Sequence, residues 1–104
     1  MMDKNEVLTK VKQFSELVVK KYNPEKIILF GSYANGNYHD NSDIDIAVLV
    51  DNLEGDFLDH EAGLYKLRRN IDLSIEPVLF TNRIDKSGFL DSILSYGEIV
   101  YQRQ

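Results

Sequence analysis

Leu29-Phe30-Gly31-Ser32-Tyr33-Ala34-Asn35-Gly36, followed after a short polar stretch by Ser42-Asp43-Ile44-Asp45-Ile46-Ala47-Val48, decides how the rest of the chain is read. An apolar run ends in Gly-Ser, and a second apolar run opens with aspartates one residue apart. Ile27-Ile28-Leu29-Phe30 is too short for a helix and reads as a strand buried on both faces. Gly31 permits positive φ and lets a ligand approach the backbone closely. Tyr33-Ala34-Asn35 reads as a short helical turn before Gly36. In the strand that runs from Ser42 to Val50, alternation puts Ile44, Ile46, Val48 and Val50 on one face and Asp43, Asp45, Ala47 and Leu49 on the other. The two carboxylates therefore leave the strand on one side, with Cα atoms about 6.5 Å apart. Oxygen ligands in that pattern suit Mg²⁺, which is usually held by one or two carboxylates plus substrate phosphates. The N–H groups and hydroxyl of Gly31-Ser32 suit phosphate oxygens. A lone Asp-x-Asp is more often an ordinary exposed strand face. Beside a Gly-Ser turn it points to a nucleoside triphosphate and its metal.

Outward from this stretch, Asp3 to Tyr22 repeats apolar residues at three- and four-residue steps (Val7, Leu8, Val11, Phe14, Leu17, Val18, Tyr22), which predicts an amphipathic helix stopped at Asn23-Pro24. After an acidic turn at Asp51 to Gly55, residues Asp56 to Asn70 read as a second helix weakened by Gly63. Lys66, Arg68 and Arg69 read as its solvated C-terminal end, where cations suit the dipole. Ile71 to Phe80 reads as a third strand, with Ile71, Leu73 and Ile75 on one face and Asp72, Ser74, Glu76 and Val78 on the other. Pro77 cannot donate a ladder hydrogen bond and argues for an edge strand, a bulge or a non-bonded position. Lys86 to Tyr96 reads as a third helix with Gly97 as its C′ residue. Glu98 to Tyr101 reads as a last short strand. His39 and His60 read as solvated loop and helix residues.

The 104 residues suit one compact domain, 1–104, and 43% hydrophobic content is enough for a core. No apolar run approaches the roughly 18 residues of a membrane span. The start, Met1-Met2-Asp3-Lys4-Asn5-Glu6, lacks the basic-then-apolar order of a signal peptide. The absence of cysteine excludes disulfides and thiolate metal sites and fits a cytoplasmic protein. A net charge of -5 makes general nucleic-acid binding unfavourable, because phosphate neutralisation drives it.

Gly31-Ser32, Gly36 and Ser42-Asp43-Ile44-Asp45-Ile46 resemble the G-S-x-x-x-G then S-D-I-D-[IL] signature of the polymerase-beta-like nucleotidyltransferase superfamily. The size, the leading helix and the Leu29-Phe30-Gly31-Ser32-Tyr33-Ala34 run resemble its smallest branch, the minimal nucleotidyltransferases with their antitoxin-like members. The signature covers residues 29 to 48, and the order of elements agrees to about residue 101. The resemblance implies an α/β (α+β) nucleotidyltransferase fold, a small mixed sheet flanked by helices. It implies that Gly31 and Ser32 contact the triphosphate and that Asp43 and Asp45 bind metal, with two Mg²⁺ ions about 3.5–4 Å apart. It implies ATP or another NTP as substrate and transfer of a nucleoside monophosphate, AMP foremost, to an acceptor hydroxyl or phosphate.

The family also uses a third carboxylate from a later strand, as metal ligand or base. Asp72 and Glu76 share a face. Glu76, lying mid-strand, is favoured as the third metal-binding and catalytic group, although glutamate is one methylene longer than the usual aspartate. Asn35 stands where many relatives carry a basic residue, which weakens the expected grip on phosphate. The resemblance also implies a partner, a small helical protein of the HEPN type, toxin to this chain's antitoxin. Neutralisation would proceed by binding that partner, by AMP transfer to one of its side chains, or by both. The alternative is a catalytically weak binding module that works by occlusion, and a weaker third reading is transfer to a small molecule such as an aminoglycoside.

Overall fold

The computed structural model describes residues 3–39, 41–81 and 88–104. Helix α1 (Lys4–Tyr22) opens on Asp3, whose carboxylate accepts the Glu6 N–H at 2.8 Å and so satisfies one of the free donors of the first turn. Its stripe of Val7, Val11, Phe14 and Val18 is buried. The helix stops where the sequence predicts, but by a different device. Asn23 is not pushed into the extended region by Pro24. It sits in the left-handed region at φ 47°, with its N–H on the Val19 carbonyl.

Strand β1 (Lys26–Phe30) leads into the single turn α2 (Ser32–Asn35) and then strand β2 (Ile44–Val50). Helix α3 (Phe57–Leu67) is capped by Asp56, whose carboxylate accepts the Leu58 N–H at 2.8 Å, and it tightens into one 3-10 turn over Arg68–Asn70. Strand β3 (Ile75–Thr81), helix α4 (Phe89–Tyr96) and strand β4 (Glu98–Gln102) complete the order. The start expected for α4, at Lys86, lies outside the described residues.

The four strands form one mixed sheet in the order β3-β2-β1-β4. β1 is antiparallel to both β2 and β4, whereas β2 and β3 run parallel, joined through α3 as a parallel pair requires. One face of the sheet, with Ile27, Leu29, Ile44, Ile46, Val48 and Val50, packs on α1 and on Leu64 of α3. The other, with Ile28, Phe30 and Ala47, packs on Ile93 of α4. Arg103 fastens β4 to the opposite end of β1: its backbone N–H reaches the Glu25 carbonyl at 2.9 Å and its guanidinium the Asn23 carbonyl at 2.9 Å.

β3 begins four residues later than its alternation suggests. Asp72 folds back on its own backbone, its carboxylate accepting the Ser74 N–H at 2.8 Å, a turn that replaces strand pairing. Pro77 does lie on an edge strand, as its missing donor suggests. Glu61 of α3 covers part of that edge by accepting the Leu79 N–H at 3.2 Å. Gly97 ends α4, but with extended backbone (φ -68°), not as a left-handed C′ residue. A Cβ there would lie 2.6 Å from both Ile28 Cγ2 and the Ile93 carbonyl oxygen, so glycine is needed for close approach. Among the described residues no helix is long and apolar enough to cross a membrane.

Candidate active site

The parallel register places Asp45 directly beside Glu76, and the antiparallel register places it beside Phe30, the residue before Gly31. Asp45 and Glu76 therefore leave neighbouring strands on the same face. Asp43 lies exposed just ahead of β2, and Asp45 is partly buried. Gly31 adopts φ 72°, a conformation that favours glycine, and a Cβ on it would fall 2.1 Å from Asp45 Oδ2. The Gly-Ser turn and the carboxylate are thus in contact. Asp72 is elsewhere: it precedes β3 and pairs with Lys10 Nζ of α1 at 2.5 Å. Of the two candidates for a third carboxylate, the fold brings Glu76 to Asp45.

Burial pushes the Asp45 carboxyl up to about 6, and the charges of Asp43 and Glu76 push the same way. Glu76 is restrained from the far side. The Tyr65 hydroxyl donates to Oε2 at 2.9 Å, and Arg68 Nη1 stands 3.6 Å from Oε1. Arg68 also lies over the Tyr65 ring, 4.8 Å from its centroid, and donates to the carbonyls of Leu73 at 3.0 Å and Ile75 at 2.8 Å. Arg68 is therefore a built-in part of the β3 entry, not the solvated helix end that its sequence position suggests. Burial, followed by the bond to Glu76, raises the Tyr65 pKa and keeps its hydroxyl a donor. The helical spacing of Glu61, Tyr65 and Arg68, which puts them on one face, was the available signal for this group.

The hard oxygen donors of Asp43 and Asp45 fit a divalent cation, which would relieve the like-charge crowding that Asp45 experiences. Among the described residues no three of His, Asp and Glu stand ready to enclose an ion, in keeping with Glu76 being drawn to Tyr65 and Arg68. The Gly31 N–H donates to the hydroxyl of Tyr96 at 3.0 Å, a contact that sequence reasoning missed. The Ser32 carbonyl closes the turn by accepting from Gly36 and Asn37, both at 3.0 Å. Asn35 is exposed and its side-chain oxygen accepts the Asn37 N–H at 3.1 Å. His39 is an exposed loop residue whose Nδ1 accepts the Asn41 N–H at 3.2 Å. His60 is more than a solvated helix residue: Nε2 lies 2.6 Å from the Glu54 carbonyl, and the ring packs edge-on to Tyr22.

The family described as Polymerase beta, Nucleotidyltransferase matches residues 12–104. The chain belongs to that family and is a nucleotidyltransferase. It is 32% identical over 98 residues to a protein of Methanocaldococcus jannaschii with the provisional name protein adenylyltransferase, spanning 88% of this chain and 96% of that one. Its fold is similar to a Sulfolobus solfataricus protein provisionally called a nucleotidyltransferase (TM-score 0.72, 22% identity, 96% of this chain and 84% of that one). It is also similar to a chain of a toxin–antitoxin complex crystallised with AMP-PNP (TM-score 0.63, 26% identity, 99% of this chain and 76% of that one).

Proposed function

We propose that the chain, residues 1–104 acting as one domain, transfers AMP from ATP to a hydroxyl of a protein partner, a HEPN-type helical toxin that it neutralises as antitoxin. The observation that carries this reading is the contact between Gly31 and Asp45, which brings the Gly-Ser turn and a carboxylate together on one surface. The adenylyltransferase name of the M. jannaschii relative and the nucleotide analogue in the toxin–antitoxin relative support it.

In this reading Asp43 and Asp45 hold Mg²⁺, with Glu76 as a third ligand. The bound metal supplies charge neutralisation on the triphosphate and on the departing pyrophosphate. Gly31 and Ser32 orient the phosphates. The acceptor oxygen forms a bond to the α-phosphorus, the bond to pyrophosphate breaks, and Glu76 takes the hydroxyl proton. Catalysis is then chiefly positioning.

The test is incubation with α-labelled ATP, Mg²⁺ and a HEPN-type helical protein from the same genome. Label on that protein is expected, and its loss in Asp43→Asn and Asp45→Asn with the fold intact. A partner that binds but never acquires label would overturn the transfer reading. A second reading, neutralisation by occlusion alone, is favoured by one observation: Glu76 is held by Tyr65 and Arg68. Full neutralisation by the Asp45→Asn variant would select it.

A further inference from the structure

We propose that Tyr96 is a positioning residue that occupies the phosphate-binding turn of the free protein and is displaced by the incoming triphosphate. The inference rests on the reading of Gly31 as a phosphate donor.

The Gly31 N–H, the donor aimed from the turn, already ends on the Tyr96 hydroxyl at 3.0 Å. Tyr96 is the last residue of α4. Its neighbour Gly97 lies close against β1, where a Cβ would fall 2.6 Å from Ile28 Cγ2 and from the Ile93 carbonyl oxygen and 3.2 Å from the Leu29 carbonyl oxygen. The backbone that carries Tyr96 is therefore fixed beside β1, and the reach of its ring to Gly31 is fixed with it. The side chain itself is free to leave, since Tyr96 is 42% exposed and a χ1 rotation carries the ring into water.

A backbone N–H has one hydrogen to give, so a phosphate oxygen and a phenol oxygen compete for it. A charged acceptor makes the stronger bond and wins that competition. Displacing the phenol still subtracts from affinity, because the turn is open to phosphate only in the fraction of molecules where Tyr96 has swung away. The same contact satisfies the amide while no nucleotide is bound. Asp45 Oδ2 also borders Gly31, so phenol and carboxylate both lie against the same glycine.

Tyr96→Phe keeps the ring and removes the competing oxygen. Titration calorimetry with Mg-ATP is expected to give a Kd about three- to tenfold lower than in the parent protein, the range set by one neutral hydrogen bond. KM for ATP should fall in step while kcat stays unchanged, a split that a general loosening of α4 would not produce. The ¹⁵N–¹H resonance of Gly31 should differ between the two proteins without nucleotide and coincide at saturation. An unchanged Kd would overturn the proposal. A weakened Kd would overturn it too, and would make the Tyr96 hydroxyl a direct donor to phosphate. If neither protein binds Mg-ATP, the reading of Gly31 fails and takes this one with it. Binding by Tyr96→Phe alone would show the turn shut by Tyr96 in the parent.

Discussion

The carboxylate of Asp45 occupies the space that a side chain at Gly31 would need, with a notional Cβ only 2.1 Å from Oδ2. Gly31→Ala thus suffers twice. The left-handed φ of 72° is strained for alanine, and Asp45 must swing off its rotamer to make room. The variant should lose on the order of 1–2 kcal/mol of stability. Transfer activity should fall further than that loss explains, because the displaced carboxylate is a proposed metal ligand. Thermal melts and labelled-AMP transfer, measured together, separate the two effects.

Asp45 carries a stability cost in the metal-free protein. Its carboxyl titrates near 6 in the fold against an ordinary value of 3.8, so the folded state holds the proton more tightly than the unfolded state. Stability is therefore lost as pH rises from about 4 through about 6 and levels off above that. Asp45→Asn removes this term. In EDTA at pH 7 it should be the more stable protein by on the order of 1 kcal/mol, water screening reducing the repulsion at a partly buried group. The advantage should vanish near pH 4. Magnesium with ATP should raise the melting temperature of the parent and leave that of the variant unchanged.

Glu76 and Asp72 should part company in a transfer assay. Glu76→Gln is expected to lose most transfer to the natural acceptor at little cost in stability. Asp72→Asn is expected to transfer normally and to be less stable. Burial raises the Asp72 pKa, but hydrogen bonds from Lys10 and Ser74 outweigh it and leave the carboxyl below its ordinary value. Its contribution is thus present above about pH 4 and lost as pH falls through the folded-state pKa. Urea midpoints of the parent and Asp72→Asn should accordingly converge in acid. Normal transfer by Glu76→Gln beside a dead Asp72→Asn would reverse the assignment.

Gly97→Ala tests the seating of α4. A methyl group there would meet backbone oxygen at 2.6 Å, which cannot move aside as a side chain would. A loss of about 1–3 kcal/mol is expected, read as a lower urea midpoint. The Tyr96–Gly31 contact should break with it, visible as a shifted Gly31 amide resonance.

The sequence made the elements legible wherever local periodicity and burial agree. The Val7–Val18 stripe, the Ile27–Phe30 run and the Ile44–Val50 alternation of β2 are of this kind, and the structure contains each, although β2 starts at Ile44 and leaves Asp43 ahead of it. Ile71-Asp72-Leu73-Ser74 misled because it alternates like a strand, whereas Leu73 is 66% exposed and Asp72 hydrogen-bonds its own turn. Pairing was beyond reach: parity put Asp72 and Glu76 on one face, but only the parallel register of β2 and β3 sets Asp45 against Glu76. The contacts Tyr65–Glu76 and Tyr96–Gly31 join residues on different elements; helical spacing groups Tyr65 with Glu61 and Arg68 but does not name Glu76 as their partner, and nothing in the chain announces Tyr96–Gly31.

β1 is flanked by β2, the next strand along, and by β4, drawn from far downstream. During synthesis on a ribosome β1 and β2 can pair early, while the other edge of β1 stays open until β4 has been made. Such long-range closure is slow, and an open apolar edge invites pairing with another nascent chain. Tyr96 stands two residues before Glu98, where β4 begins, so its seat beside Gly31 is expected to firm as that edge closes. Nascent chains arrested before β4 should therefore aggregate, and should take up nucleotide, if at all, without the competition that Tyr96 imposes.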